Sequence, residues 1–512
     1  MRRSIVSGFV FILSILLLTP AWAGQSVIRI LYLNDFHGFA APHRPLGADE
    51  TVGGLAYLAG RADALRAGKP SLLLAAGDMI QGNNWANLFR GRPAIEAMNS
   101  MRFDAMVVGN HEFDFGQQAL RERISEAKFP VLGANVEGFD GLKPYVIRNV
   151  EGIRVAIIGV VTQDTPVSTD PRNVTGLTFS PPAAAVRKYL GELKDRADIF
   201  VVLSHIGYEG DRKLAAEVRG IDVIVGGHSH TKLEAPVKVG ATLIVQAWEH
   251  AKALGVLDLS VDGGRITGYH GHLEVIRPVP GGEDKAVAAI VSKYQGMVDR
   301  TLDERVGTAE VDLDGENVRR RETNLGDVIA DIMRKTSGAD AALINGGSIR
   351  TSINKGPVAA KDIYSVLPFD NYIVAIRLTG GQIRRALEYG VSAVERGEGR
   401  FPQVSGISFT YSPSASPGSR VKTILIDGKP FDPDGVYSVA TNDFLAAGGD
   451  GYTAFGEAVR SSKDFAAVGG MMKGEKLVYS DAGTWLRDVV MGYIKEQKTI
   501  APAVEGRIKE VQ

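Results

Sequence analysis

The sequence predicts two domains, a layered α/β domain followed by an α+β domain, and three observations carry that prediction. At 512 residues the chain is too long for one ordinary core. From residue 26 to about 277, short β-branched apolar runs alternate with segments of helical periodicity, the pattern of a layered α/β domain. From about 306 to 511, helix and strand patterns mix without that alternation, which predicts α+β.

In chain order, residues 1–23 read as an export signal. Arg2 and Arg3 precede an uncharged apolar run from Ile5 to Leu18, and Ala21-Trp22-Ala23 is a small-x-small motif, so cleavage is expected after Ala23. A periplasmic or secreted mature protein follows. The rival is a retained anchor, because Ser4 to Ile28 carries no charge, but Pro20 and the Ala-x-Ala pattern favour removal. No stable membrane anchor is expected after cleavage.

The strand candidates are Ile28 to Leu33, Leu72 to Ala75, Ala105 to Val108, Val155 to Val161, Ile199 to Leu203, Val223 to Val225 and Leu243 to Val245. Continuous apolar runs of this kind suit strands buried on both faces. Pro278 to Gly282 breaks the pattern. Glu283 to Asp303 then reads as a charged helix whose Val287, Ile290, Val291, Tyr294 and Met297 make one apolar stripe. We take 283–303 as the connector between domains 26–277 and 306–511, a surface helix of one domain being the alternative. In the second half, Asn324 to Ser337 is helical and stopped by Gly338, and Ala341 to Ile344 is a strand. Ile363 to Leu367 precedes Pro368, Gly381 to Val391 is helical, and the Ser- and Pro-rich Tyr411 to Ser419 is a loop.

A formal net charge of -1 gives no broad attraction to nucleic acid polymer or anionic membrane, so a small-molecule partner is expected. With no cysteine, disulfides and thiolate metal ligands are excluded, and any metal must be held by oxygen and nitrogen.

Five strand candidates run directly into metal-ligand residue types: Asp35-x-His37, Gly77-Asp78, Gly109-Asn110-His111-Glu112-Phe113-Asp114, His205, and Gly227-His228-Ser229-His230. Strands of one sheet pointing the same way would deliver them to one edge, where ligands of open α/β sheets bind. Five of the nine histidines occupy these strand ends. One such residue alone is usually a loop or cap residue, but five in register point to a site. Imidazole, carboxylate and amide oxygen without sulfur suit zinc, manganese, iron or cobalt better than calcium.

This series resembles the calcineurin-like metallophosphoesterase signature, and its 5′-nucleotidase branch in particular. The second half is similar to that branch through Arg319 to Gly326, Asn345-Gly346-Gly347-Ser348-Ile349-Arg350, Leu367-Pro368-Phe369 and Asn442 to Gly451. The resemblance implies two divalent metal ions: one on Asp35, His37 and His230, the other on Asn110, His205 and His228, with Asp78 bridging. It implies removal of phosphate from 5′-nucleotides by in-line attack of metal-activated water. His111, oriented by Asp114, would stabilise phosphoryl charge and protonate the leaving alkoxide. It further implies that Phe369 and Phe444 stack on the nucleobase, Arg319 and Arg350 hold phosphate, and Asn345 and Asp450 bond base or ribose. It also implies hinge rotation, with 283–303 holding or flanking the hinge.

Two features depart from the family or leave its register open. Ser348 stands where the family run has a third glycine, and Arg319, Arg320 and Arg321 are consecutive, so the choice of Arg319 rests on register alone. Phe369 as a core anchor and Gly448 to Gly451 as a plain turn are the bland readings. A 2′,3′-cyclic nucleotide phosphodiesterase or UDP-sugar pyrophosphohydrolase would use the same site. A thiosulfohydrolase would need no aromatic pair, and a non-catalytic periplasmic nucleotide-binding protein would need no general acid.

Overall fold

The structure is a computed structural model and describes residues 26–468 and 471–511. The export segment expected at 1–23 lies outside the described residues. Among the described residues, the N-terminal half builds two six-stranded sheets. The first runs Arg265–Val275, Ala253–Asp262, Ser26–Leu33, Ser71–Ala75, Ala105–Val107, Val131–Leu132, the last four parallel. The second runs Val237–Val239, Thr242–Gln246, Val223–Gly226, Ile199–His205, Ile153–Val161, Tyr145–Val150, with its four middle strands parallel.

The expectation of a single sheet is thereby corrected. Asp35, His37, Asp78, Asn110 and His111 follow strands of the first sheet, whereas His205, His228 and His230 end or follow strands of the second. The physical reason is that every run is apolar on both faces, so its composition fits either sheet equally and only packing decides the partner. Ile28, Ile30 and Tyr32 face the second sheet and pack with Val155, Ile157, Val201 and Val223. The alternate residues Leu31, Leu33 and Leu73 meet the helices Leu55–Arg66 and Arg92–Ser100. On the far side Ile158, Val202 and Ile224 meet Pro182–Leu193 and Tyr208–Glu217. Four layers result, helix, sheet, sheet, helix, with the strand ends converging on one rim.

A helix occupies Lys285–Leu302, capped by Asp284, whose carboxylate accepts from Val287 N at 2.8 Å. Val287 and Tyr294 are buried in the first core, and Val298 and Leu302 in the core of the second half. The stripe therefore runs 287, 294, 298, 302. Met297, expected on it, is 38% exposed, because at 3.6 residues per turn it lies one position off that line.

In the second half, helix Asn324–Ser337 starts at Thr323, whose hydroxyl accepts from Gly326 N, and ends at Gly338 with φ +64°. A five-stranded sheet follows in the order Pro402–Ser405, Ala341–Asn345, Val436–Asn442, Tyr372–Thr379, Leu477–Trp485. The run before Pro368 is a helix, Ala360–Val366. Ala341–Asn345 and Val436–Asn442 are parallel, which brings Asn345 and the Asp443–Ala446 turn carrying Phe444 to the same edge. No helix of the described residues is long and apolar enough to cross a membrane.

Candidate active site

At the rim the chain leaves its strands through strained turns. Asp35, His37, Asp78, His228 and His230 all have φ between 49° and 75°, conformations that cost an L-residue about 1–2 kcal/mol each and cluster where function requires them. Two glycines leave room for the cluster. A Cβ on Gly77 would lie 2.5 Å from His205 Nδ1, and one on Gly109 2.2 Å from Asp78 Oδ1.

The polar atoms gather into two adjoining groups. In one, His230 Nε2 lies 3.3 Å from Asp35 Oδ1 and 3.2 Å from His37 Nε2, and His37 Nε2 lies 3.8 Å from Asp35 Oδ1. In the other, Asp78, His205 and His228 bring one ligand atom each within 4.8 Å of the others. Asp78 Oδ2 faces both groups, 3.0 Å from His205 Nε2 and 3.8 Å from His37 Nε2. Asn110 donates through Nδ2 to Ser168 O at 3.2 Å, while its Oδ1 is buried with no hydrogen-bond partner among the described residues.

The tautomers suit cation binding. His37 Nδ1 donates to Gln81 O at 2.9 Å and His205 Nδ1 to Ala76 O at 2.6 Å, while His230 Nδ1 pairs with Glu249, so in each ring it is Nε2 that faces the cluster. Burial opposes charge on His205, yet the Asp78 carboxylate lifts it to about 10, whereas burial and then His205 push His228 down to about 3. A buried nitrogen and oxygen donor set without sulfur, containing an unpartnered amide oxygen, fits two divalent cations.

Beside this cluster, His111 Nδ1 bonds Asp114 Oδ2 at 2.6 Å, and Thr169 Oγ1 donates to Asp114 Oδ1 at 2.6 Å. Burial works against charge on His111, but Asp114 and Asp78 raise it above the ordinary imidazole value. The His111 backbone N–H reaches Asp78 Oδ1 at 3.0 Å, which joins dyad and cluster.

A cleft of about 1930 Å³ opens from this rim against the second half. Asp78, His111, Asp114, His228 and His230 line one side, and Arg319, Asn345, Arg350, Phe369, Phe444 and Asp450 the other. Arg350 Nη2 reaches His37 Nε2 at 3.1 Å; burial, and then the like charge of Arg319, brings Arg350 down to about 10. The Phe369 ring stacks on His111 with centroids 5.9 Å apart, and among the described residues it makes no ring contact with Phe444. Asn345 Nδ2 donates to Asp450 Oδ2 at 2.5 Å. Ser348 Oγ donates to Asn345 Oδ1 at 2.5 Å and receives Asn442 Nδ2 at 3.1 Å. Ser348 thus sits at ordinary φ and ties the segment together. Of the three arginines, Arg319 and Arg320 both line the cleft; Arg320 bonds Glu395 O and Arg321 pairs with Asp314, while Arg319 makes no ion pair among the described residues.

Residues 28–232 match the calcineurin-like phosphoesterase family model and residues 305–457 that of the 5′-nucleotidase C-terminal domain. A 5′-nucleotidase of Homo sapiens is 33% identical over 96% of this chain and 92% of its own length. The chain belongs to the 5′-nucleotidase family. It is therefore a hydrolase of phosphoric esters, built as a metallophosphoesterase domain followed by a 5′-nucleotidase C-terminal domain. The trifunctional nucleotide phosphoesterase YfkN of Bacillus subtilis is 34% identical over 86% of this chain, which spans 33% of that relative. The crystal structure of a 5′-nucleotidase precursor from Thermus thermophilus superposes with a TM-score of 0.85 at 35% identity, over 95% of this chain and 99% of that one.

Within the 5′-nucleotidase framework, all the residues expected from sequence lie at or directly behind the cleft, with Asp35, His37 and His205 buried beneath it. Several supporting residues lie outside the set that the sequence predicts. The Glu112 carboxylate accepts from Asp78 N, Met79 N, Ile80 N and Gly109 N, which ties two ligand loops together, and burial and then Asp78 raise it to about 7. Its only sequence signal is an acid inside the Gly109 to Asp114 run. Thr169 and Glu249 carry none.

Proposed function

We propose that the chain hydrolyses the phosphomonoester of nucleoside 5′-monophosphates at a two-cation centre. In this reading Asp35, His37 and His230 hold one cation, Asn110, His205 and His228 the other, and Asp78 is shared, with zinc, manganese, cobalt or iron suited to the donors. When bound, the two cations supply Lewis acidity toward the phosphoryl oxygens and lower the pKa of water at their site. Arg350 and Arg319 hold the phosphate, since guanidinium forks match its oxygens. His111 keeps Nδ1 on Asp114 and directs Nε2 at the leaving 5′ oxygen, to which it delivers a proton; Asp114 stabilises the imidazolium. Phe369 and Phe444 take the flat base between them, and Asn345 and Asp450 bond base or ribose. The helix Lys285–Leu302 serves as connector between domains 26–277 and 306–511. The mature protein starts after Ala23 and works in the periplasm or outside the cell, on a small nucleotide rather than a nucleic acid polymer.

What supports this reading is a single cleft lined at once by the His111–Asp114 dyad and Asp78 from one half and by two arginines and two phenylalanines from the other. The test is phosphate release by the purified mature protein from AMP, UMP, UDP-glucose and 2′,3′-cyclic AMP, with and without chelator, alongside His111→Ala. Chelator should abolish AMP turnover, manganese or zinc should restore it, and His111→Ala should lower kcat by about 10²–10⁴-fold. Nucleotide binding without turnover under any metal would favour a binding protein. Preferred turnover of the cyclic or sugar nucleotide would move the reading to a diester or pyrophosphate bond.

A further inference from the structure

The turn between Thr242–Gln246 and Ala253–Asp262 is unusually constrained. Trp248, His250 and Ala251 all adopt φ between 54° and 65°, a region that non-glycine residues occupy at a cost and mostly at functional sites. The turn is held against the first ligand loop: Ala247 N donates to Asn34 Oδ1 at 2.7 Å, Asn34 Nδ2 to Trp248 O at 2.6 Å and His250 N to Asp35 O at 2.8 Å. Both carboxylate oxygens of Glu249, which this turn presents, are used. Oε2 receives the Nδ1–H of His230, and Oε1 receives Lys252 Nζ at 2.7 Å.

We propose that Glu249 is a positioning residue for His230, fixing the tautomer and direction of the imidazole so that Nε2 is presented to the cation group of Asp35 and His37. The proposal rests on the reading of His230 as a cation ligand. His37 and His205 are oriented by backbone carbonyls, whereas His230 is oriented by a charged acceptor, which makes its Nε2 a stronger donor. A third cation on His230, Glu249 and His250, whose ligand atoms also lie within 4.8 Å of one another, is disfavoured because Lys252 Nζ already occupies Glu249 Oε1 and its positive charge repels a cation there.

The experiment titrates the full mature protein with Zn²⁺ against a chromophoric chelator and measures stoichiometry by elemental analysis, for wild type, His230→Ala, Glu249→Ala and Glu249→Gln. Wild type should hold two ions and His230→Ala one. Glu249→Ala should weaken one ion by about 10–100-fold and leave the other within about twofold. The isosteric Glu249→Gln, which keeps an acceptor oxygen but loses the charge, should fall between, and it decides the matter if the alanine variant does not fold. Two ions at wild-type affinity in the Glu249 variants would overturn the proposal while the ligand reading stands. His230→Ala retaining both ions, or wild type holding fewer than two, would remove the ligand reading and the proposal with it. A third ion lost only in the Glu249 variants would overturn the proposal in favour of direct ligation.

Discussion

Replacing Thr169 with valine keeps the shape of a side chain that is 2% exposed and removes one hydroxyl. That hydroxyl donates to Asp114 Oδ1 at 2.6 Å while Asp114 Oδ2 engages His111, so Thr169 stops the carboxylate rotating away from the imidazole. A hydrogen bond to a charged group is worth about 1.5–3 kcal/mol, and an isosteric change leaves no cavity to add to it. Only the part expressed in the transition state lowers kcat. If between half and all of about 2 kcal/mol is expressed there, kcat falls about 5–30-fold. The backbone of the dyad stays in place, because Asn173 Nδ2 still donates to Asp114 O at 2.8 Å. KM for AMP should therefore remain within about twofold. The assay is steady-state phosphate release from AMP at saturating Mn²⁺, with metal content and melting temperature measured on the same preparations. Thr169→Ser should recover most of the loss. An unchanged kcat, or a serine variant as slow as the valine one, would refute the reasoning.

Two further predictions follow from buried or unpaired charge. Burial, with a smaller contribution from Glu322, lifts the Asp327 carboxyl to about 8 against the pull of Arg507. The folded pKa then exceeds the unfolded one of about 3.9, so the stability its proton confers is present below pH 4 and lost as pH rises toward 8. Asp327→Asn needs no proton. In calorimetry it should raise Tm by about 2–4 °C per kcal/mol recovered at pH 8 and change little at pH 4, and equal shifts at both pH values would contradict the argument. For the three arginines, Arg319→Ala should raise KM for AMP about 10–100-fold by removing a charge-assisted phosphate bond. Arg321→Ala, at a side chain that is 68% exposed and paired with Asp314, should stay within about twofold. A reversed order in steady-state kinetics would move the phosphate contact along the run.

How much could be read in advance depended on what each residue does. The cluster was legible because a candidate ligand must carry a particular atom, which narrows Asp35, His37, Asp78, Asn110, His205, His228 and His230 to a few residue types, each directly after an apolar run. The helix at 324–337 was legible because its cap and stop are local, a threonine hydroxyl and a glycine at φ +64°. Sheet membership was not, since a strand apolar on both faces carries no mark of its partner. Met297 was misplaced for a related reason: several stripes fit one short helix until the neighbouring cores select among them. The supporting residues were hidden at a deeper level. A side chain that orients a ligand needs only a hydrogen bond, and here the bond comes from a threonine 55 residues beyond Asp114, a glutamate 19 residues beyond His230, or a backbone carbonyl at Gln81 or Ala76 that any residue could supply. Chemistry restricts the residues that would touch the metals far more tightly than the residues that aim them, and a sequence displays the first restriction but not the second.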